Sequence, residues 1–248
     1  MSPTALLREI EANKSKIDQF RPLSLSLVQQ IRAYWRVGLT YSSNAIEGNT
    51  LTETETKVLI EDGLTIGGKS LRETFEVVGH SDAMTFLYDF VDKKEKTSEE
   101  TVKKLHSCFY RLIDEANAGS YRKTAIFISG TDYIPPKWEE LETLMKKGVA
   151  PLLISTEPIP IIAAKWHTLI ANMHPFIDGN GRTARLMMNL LLLQHGYPIT
   201  VVPPIYRVKY IQLCNQANKG NDSGFLTFIQ ELVLQAQTDY LRLLEASR

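Results

Sequence analysis

Apolar residues recur at helical spacing along most of the chain, and this periodicity predicts a mainly α-helical protein. The clearest early stripe consists of Leu27, Ile31, Tyr34, Trp35 and Leu39. The segment 42–49, with Gly48 and Asn49 near its end, is expected to stop that helix. Further apolar stripes lie within residues 77–90 and in a closing amphipathic helix at 225–244.

Residues 123–136 interrupt this helical pattern. The segment is rich in β-forming residues, beginning with Thr124, Ala125, Ile126, Phe127 and Ile128. A Ser-Gly-Thr-Asp turn at 129–132 and the prolines at 135–136 complete it, which predicts a short β-hairpin. Because an isolated hairpin is only marginally stable, this one is a candidate recognition element whose free edge pairs with an extended peptide. The alternative is a structural flap without a partner.

Most of the candidate functional residues lie in residues 174–185, immediately before the apolar run 186–193. A Gly-Asn-Gly turn at 179–181 leads into that run, so a loop is expected to open a helix here. Backbone N–H groups at such a junction favour anions. Arg182 and Arg185, at positions i and i+3, share one helix face and add positive charge.

His174 and Asp178 supply the reactive groups of the same stretch. A histidine has an ordinary pKa of about 6.5, so neutral His174 can accept a proton near neutral pH. Asp178 offers hard oxygen ligands suited to Mg²⁺, which typically accompanies phosphates. Base, metal ligand, anion site and paired arginines together indicate phosphoryl or nucleotidyl transfer. Two other interpretations stay open: a simple helix cap, and a transition-metal site that includes His167.

The composition narrows the range of partners. Lysine plus arginine and aspartate plus glutamate number 28 each, which gives no bias toward nucleic acid or an anionic membrane. No apolar stretch reaches the roughly 18 to 20 residues that span a bilayer, and the N-terminus lacks a secretory apolar core. Cys108 and Cys214 indicate neither a metal site nor a disulfide scaffold. We therefore expect a soluble cytoplasmic protein with no membrane or direct nucleic-acid partner and an undetermined oligomeric state.

Residues 174–185 read His-Pro-Phe-Ile-Asp-Gly-Asn-Gly-Arg-Thr-Ala-Arg. They match the signature His-Pro-Phe-x-(Asp/Glu)-Gly-Asn-Gly-Arg-x-x-Arg at every specified position, so the chain resembles the Fic family of nucleotidyl transferases. Gly-Ser-Tyr-Arg at 119–122, with the hairpin after it, is similar to the flap of that family. Ala-Asn-Lys-Gly at 217–220 is similar to a segment downstream of the family's signature.

The resemblance covers about residues 25–235 and implies a mainly α fold, a Fic-type helical bundle with a short β-hairpin flap. It also implies two regions: an N-terminal helical region at 1–70 that carries an inhibitory helix, and a Fic catalytic core at 71–248. Many members of this kind carry a further C-terminal winged-helix domain, and none is expected here because the sequence ends at Arg248.

The activity implied by the resemblance is transfer of AMP from ATP to a Ser, Thr or Tyr hydroxyl of a target protein. In this reaction His174 is the general base, Asp178 holds Mg²⁺, and residues 124–128 of the flap align the target by main-chain pairing. The implied nucleotide-binding residues are Gly179, Asn180, Gly181, Arg182, Arg185 and Asn218. Arg182 is expected at the leaving pyrophosphate and Asn218 at the nucleotide base.

Residues 41–49 are similar to the family's inhibitory helix, Ser/Thr-x-x-x-Glu-Gly/Asn, with Ser43 and Glu47 at its defining positions. Glu47 ends a predicted helix, where a carboxylate gains nothing from the helix dipole, so a cationic partner is expected. Arg185 is the candidate, and the pair would occupy the arginine that should meet the γ-phosphate. The transferase would then be autoinhibited. Two alternatives stay open: a protein deAMPylase in which Glu47 aligns a water, and a nucleotide-binding interaction module.

Overall fold

A computed structural model describes residues 2–128 and 131–247. Within these residues the protein is mainly helical, as the apolar periodicity predicts. The α-helices are α1 (Pro3–Asp18), α2 (Leu25–Ile46), α3 (Glu53–Lys57), α4 (Leu71–Asp92), α5 (Glu99–Tyr110), α6 (Leu141–Leu153), α7 (Ile159–Met173), α8 (Asn180–Gln194), α9 (Arg207–Asn218) and α10 (Ser223–Ala246). No helix in the described part of the chain is both long and apolar enough to cross a bilayer.

Side-chain caps start the helices that border the site. Ser24 accepts a hydrogen bond from the backbone N–H of Leu27 at the start of α2. At the start of α4, Ser70 and Glu73 form a capping box, in which each side chain binds the backbone N–H of the other residue. Glu73 also accepts hydrogen bonds from Thr50, so the segment after α2 is tied to the start of α4.

Helix α8 forms the centre of the core. It packs against α7, α4 and α5. Its fully buried side chains include Leu186, Met187, Met188, Leu190 and Leu192. The apolar run after the Gly-Asn-Gly turn is therefore the buried central helix that the sequence predicts. Burying one such side chain stabilises a fold by about 1.5–3 kcal/mol, so α8 gives the residues at its N-terminal end a firm base.

The N-terminal helices share this core. Helix α1 packs against α10, and α2 packs against α4 and α8. Leu6 on α1 and Leu39 on α2 belong to the same hydrophobic cluster as Leu186 on α8. The division into regions 1–70 and 71–248 stays a prediction, and two such regions would share one hydrophobic core.

The β-hairpin predicted at residues 123–136 is not confirmed. The part of the chain that the structure describes contains no β-strand. Ser129 and Gly130, in the predicted turn, lie outside the described residues. Locally favourable β-forming residues still need cross-strand partners, and a two-stranded ribbon alone is only marginally stable. We use the name flap for residues 123–136.

Candidate active site

His174 follows the last turn of α7 and holds its ring in one tautomer. Its backbone lies in the left-handed region, with φ of 45° and ψ of 56°, which non-glycine residues seldom adopt. Its backbone N–H donates to the carbonyl oxygen of Ile170 at 2.9 Å. The ring Nδ1 lies 3.2 Å from the carbonyl oxygen of Ala171, so Nδ1 carries the hydrogen and Nε2 is the basic nitrogen. Burial lowers the pKa of the His174 ring, which keeps it neutral near pH 7.

The Gly-Asn-Gly turn between α7 and α8 is closed by side-chain contacts. Gly179 has φ of 76°, and a Cβ there would collide with the ring of Phe109, so the position requires glycine. The side chain of Asn180 accepts from the backbone N–H of Phe176 and donates to the carbonyl oxygen of the same residue, both at 2.9 Å. The turn therefore points the first N–H groups of α8, and the positive end of its dipole, toward an anion site.

Asp178 lies beside this turn and already has two hydrogen-bond donors. Its Oδ2 accepts from Nη2 of Arg72 at 2.6 Å, and its Oδ1 accepts from the backbone N–H of Gly179 at 2.6 Å. Within the described residues, no group of three or more His, Cys, Asp or Glu side chains could hold a metal ion. Asp178 would thus be a single protein ligand. This donor set fits Mg²⁺, whose coordination shell is usually completed by phosphate oxygens and waters.

His167 lies among aromatic side chains. Its Nε2 lies 2.7 Å from Oη of Tyr210, and its ring stacks on Phe225 with a centroid separation of 4.8 Å. Burial lowers the pKa of the His167 ring to about 3. The structure therefore does not assemble His167, His174 and Asp178 into a transition-metal site.

Arg185 is only 2% exposed and is held by three residues. Its Nε donates to Oγ of Ser43 at 3.0 Å, and its Nη2 donates to the carbonyl oxygen of Ser43 at 2.8 Å. Nη2 also donates to Oε1 of Glu47 at 2.6 Å. Nη1 donates to Oη of Tyr210 at 3.1 Å. The Glu47–Arg185 pairing predicted from the sequence is confirmed, and it joins the C-terminal end of α2 to α8.

The charged form of Glu47 is favoured by its surroundings. Loss of water raises the pKa of its carboxyl group, but the positive charges of Arg185 and Arg182 and the hydrogen bond from Arg185 outweigh that effect, so the net pKa shift is downward. The carboxylate lies against the first turn of α8, because a Cβ on Gly181 would collide with its Oε1. Glu47 thus reaches the backbone where a phosphate is predicted to bind.

The C-terminal end of α2 is fixed from two sides. Arg207 on α9 donates from Nε to the carbonyl oxygen of Ile46 at 2.7 Å, which caps the helix. Asn49 donates from Nδ2 to Oε2 of Glu76 on α4 at 3.0 Å. The backbone around Glu47 is therefore held by α9 and α4, independently of the contact between Glu47 and Arg185.

Arg182 meets a carboxylate that the sequence analysis missed. Its Nη1 lies 3.1 Å from Oε1 of Glu76, and its guanidinium lies 4.4 Å from the centre of the Phe109 ring. Nη1 also donates to Oδ1 of Asn44 at 3.4 Å. Glu76 belongs to no motif. The one feature of the sequence that could have pointed to it is a carboxylate directly before the apolar Val77 in a helical stripe.

His106 is a second residue that the sequence did not mark. Its Nε2 donates to the carbonyl oxygen of Asp178 at 3.1 Å, and its Nδ1 accepts from the backbone N–H of Gly119 at 2.9 Å. Its ring stacks on Phe176 with a centroid separation of 3.7 Å. Burial lowers the pKa of the His106 ring to about 4, so it stays neutral. His106 therefore supports the loop that carries Asp178 from the side of α5.

Asn218 and the flap lie close to each other. Asn218 is the last residue of α9, and its side-chain oxygen is buried without a hydrogen-bond partner in the described part of the chain. The next residue, Lys219, pairs with Asp132 of the flap at 2.8 Å. Phe127 is 89% exposed at the surface of the flap. Of the other predicted docking residues, the exposed ones are Thr124 and Ala125 and the half-buried ones are Ile126 and Ile128.

A buried α8 with a Gly-Asn-Gly turn, two arginines and a preceding histidine defines a domain of the Fic type. Residues 96–192 match the model of the Fic/DOC family. The sea-anemone (Nematostella vectensis) protein named Protein adenylyltransferase Fic is 34% identical over 242 residues, which cover 95% of this chain and 56% of that protein. The protein of the same name from Drosophila erecta is 34% identical over 204 residues, which cover 81% of this chain and 41% of that protein. The chain therefore carries a domain of the Fic/DOC family, and it spans about half the length of these curated relatives.

Solved structures show the same fold. Fic-1 (residues 134–508) from C. elegans superimposes with a TM-score of 0.86 at 28% identity, covering 98% of this chain and 73% of that one. A Fic domain containing signaling protein from Bacteroides thetaiotaomicron superimposes with a TM-score of 0.87 at 23% identity, covering 96% of this chain and 98% of that one. The second likeness concerns the fold alone.

Proposed function

We propose that the protein is an autoinhibited protein adenylyltransferase, which transfers AMP from ATP to a Ser, Thr or Tyr hydroxyl of a target protein. The observation that carries this proposal is the neutral ring of His174, with Nε2 basic, beside a helix N-terminus that presents Arg182 and Arg185. The names of the curated relatives support the same activity.

His174 acts as the general base in this proposal. Its Nε2 takes the proton of the target hydroxyl while that oxygen forms a bond to the α-phosphorus of ATP. The bond from the α-phosphorus to the oxygen that bridges to the β-phosphate breaks, and pyrophosphate leaves. Backbone N–H groups of residues 179–181 bind the phosphates, and Arg182 neutralises charge that develops on the leaving group. Arg185 pairs with the γ-phosphate once Glu47 releases it.

Asp178 is the residue that would hold Mg²⁺. A bound Mg²⁺ would neutralise charge on the phosphates. The side chain of Arg72, which now contacts Asp178, is 58% exposed and can move away into solvent. Arg72 and the metal would therefore compete for the same carboxylate.

Asn218 and the flap bind the two remaining parts of the substrates. The buried side-chain oxygen of Asn218 has no partner in the described part of the chain, which supports a hydrogen bond to the amino group of a nucleotide base. Thr124, Ala125 and Phe127 of the flap are exposed residues, which supports main-chain pairing with a target segment over residues 124–128.

Inhibition resides in Ser43 and Glu47 of a regulatory region at 1–70, and catalysis resides in a core at 71–248. Glu47 takes a hydrogen bond from the guanidinium of Arg185 that the γ-phosphate needs. ATP bound without that contact would present its α-phosphate poorly for in-line attack. The pair therefore holds the enzyme in an inactive arrangement.

Removal of AMP from a modified protein is the second candidate function. One observation favours it: the Glu47 carboxylate reaches the first turn of α8, at Gly181, where it could orient a water toward a bound phosphate. A nucleotide-binding interaction module, silenced by Glu47, is the non-enzymatic alternative.

Labelled nucleotide separates these functions. The wild-type protein, Glu47→Gly and Glu47→Gly with His174→Ala are each incubated with α-labelled ATP, Mg²⁺ and a cell lysate. Label on protein with Glu47→Gly, and none with the double variant, supports AMP transfer. Loss of AMP from a pre-loaded target supports removal, and ATP binding without either reaction supports the interaction module.

A further inference from the structure

Arg122 joins three separate parts of the chain through one side chain. It is 4% exposed. Its Nε donates to the carbonyl oxygen of His174 at 2.9 Å, its Nη1 to that of Thr124 at 2.8 Å, and its Nη2 to that of Pro136 at 2.6 Å. Its backbone N–H donates to the carbonyl oxygen of Pro175 at 2.8 Å. Every one of these acceptors is an uncharged backbone oxygen.

Burying a guanidinium against neutral carbonyl groups costs free energy that packing alone does not explain. Burial lowers the pKa of Arg122, because removal of water disfavours the charged form. An apolar side chain would fill the same space without that cost. The planar guanidinium has donors on three nitrogens that diverge in fixed directions, and a lysine has donors on a single nitrogen. Only arginine can reach all three carbonyl groups at once.

The three acceptors are the backbone of the proposed general base and the two ends of the flap. His174 lies in a left-handed conformation with φ of 45°, which persists only where its surroundings hold it. Thr124 lies near the start of the flap, and Pro136 is its last residue. A shift of the flap would therefore move Arg122, and with it the backbone that carries the His174 ring.

We propose that Arg122 is a positioning residue that couples the target-docking flap to His174, so that a target segment held on the flap has its hydroxyl aligned with Nε2. This inference rests on the proposed adenylyltransferase function. It predicts a specific defect without Arg122: the nucleotide still binds, and the target hydroxyl is no longer aligned with the base. Misalignment of reacting groups by about 1 Å lowers rates by about 100-fold.

The kinetic test uses Arg122→Lys in a Glu47→Gly background. This substitution keeps the positive charge at position 122 and removes the three divergent donor nitrogens of the guanidinium. The substrates are Mg-ATP and the most strongly labelled lysate protein, purified. We expect kcat/KM for the target to fall at least tenfold, with the dissociation constant for Mg-ATP within twofold of the parent value. Arg111→Lys is the matched control, since Arg111 is an exposed arginine paired with Asp82, and it should retain parent activity. Parent activity in Arg122→Lys, or equal losses for target and ATP, would overturn the proposal.

Hydrogen exchange tests the coupling without relying on activity. In Arg122→Lys, amides of the flap and amides of residues 171–176 should both exchange faster than in the parent, while exchange in α8 stays unchanged. Faster exchange in only one of the two segments, or in neither, contradicts a shared anchor. Because this measurement needs neither ATP nor target, it decides the coupling even if Glu47→Gly transfers no AMP. Failure of the proposed function and failure of this inference are thereby told apart.

Discussion

Oε1 of Glu47 lies 2.6 Å from Nη2 of Arg185, although 138 positions separate the two residues in the chain. The same guanidinium also binds Ser43 twice and Tyr210 once. Ser43 lies in the last turn of α2 and Glu47 directly follows that helix, so the C-terminal end of α2 supplies three of the four hydrogen bonds. Ser43 and Tyr210 are the contacts that would keep Arg185 in place after the Glu47 side chain moves.

Removing the Glu47 carboxylate should activate the enzyme. A hydrogen bond to a charged group contributes about 1.5–3 kcal/mol, so Glu47→Gly should raise the rate of AMP transfer by about 10- to 100-fold. The rate is measured with α-labelled ATP over a range of ATP concentrations. Glu61→Gly removes an exposed carboxylate that pairs with Lys57 and serves as the control. Equal rates for wild type and Glu47→Gly on a verified target would rule out this inhibition, as would rescue of Arg185→Ala by Glu47→Gly.

Gly181→Ala should destabilise the fold more when Glu47 is present than when it is absent. A Cβ at this position would collide with Oε1 of Glu47, and such overpacking costs about 1–3 kcal/mol. In a Glu47→Gly background the cost should fall by more than half. Urea unfolding of the four variants of this double-mutant cycle gives the coupling free energy.

Gly38→Ala is the matched control for this cycle. Gly38 lies inside α2, and a Cβ there would meet nothing within 4 Å. Alanine should stabilise that position in both backgrounds by about 0.5–1 kcal/mol, because glycine is a poorer helix former. An identical effect of Gly181→Ala with and without Glu47 would show that the carboxylate does not lie over α8.

His174→Ala should abolish transfer while ATP binding persists. In the Glu47→Gly background a loss of about 10²- to 10⁴-fold is expected for removal of a general base. Burial lowers the pKa of His174, so activity should be constant from about pH 7 upward and should decline only below its ordinary value of about 6.5. His195→Ala is the control, because His195 likewise follows a helix and has Nδ1 near a backbone carbonyl oxygen, at 2.8 Å. Parent activity in His174→Ala would disprove the assignment.

A proline in the flap should impair target modification selectively. Ile126→Pro removes one backbone donor from the proposed pairing edge, whereas Ile126→Ala keeps it. We expect about tenfold lower kcat/KM for the target with proline and unchanged affinity for Mg-ATP in calorimetric titration. Parallel losses for target and ATP would instead assign the flap a purely structural role.

The fold should lose stability in mild acid. Burial lowers the pKa values of His80, His106 and His167 to about 3, 4 and 3. In the unfolded chain these rings take up protons below about pH 6.5, while in the folded chain they do not, so stability falls as the pH falls. Each histidine contributes up to about 1.4 kcal/mol per pH unit. Urea unfolding between pH 7 and 5 measures the slope, and a flat profile would contradict the burial of these rings.

The part of the site that lies on one continuous stretch could be predicted from the sequence. The spacing from His174 to Arg185 places base, turn and arginines around one helix start, because the fold needs only a loop and a helix there. The Glu47–Arg185 pair was also predictable, since a motif and an unfavourable helix dipole both pointed to a missing cation. Glu76 was not, because its contact with Arg182 depends on how α4 packs against α8.

The predicted hairpin is not confirmed, for a related reason. Residues 124–128 have the composition of a strand, but strand formation depends on a hydrogen-bonded partner that composition does not specify. In the structure the side chain of Arg122 holds the two ends of the flap instead. A single arginine after a Gly-Ser-Tyr sequence carries no periodic signal, so neither this anchor nor its link to His174 could be read from a pattern.

Helix α2 is packed into the hydrophobic core, and this limits how the proposed inhibition could be relieved. Leu39 and Ile46, on either side of Ser43, are 1% and 2% exposed, and Arg207 caps the end of the helix. Pulling α2 away would open the hydrophobic core together with the nucleotide site. In the proposed mechanism, inhibition therefore cannot be relieved by detachment or by proteolytic trimming of α2 without loss of the fold. Any activating signal has to act in place, by turning the Glu47 side chain aside while the helix backbone stays seated.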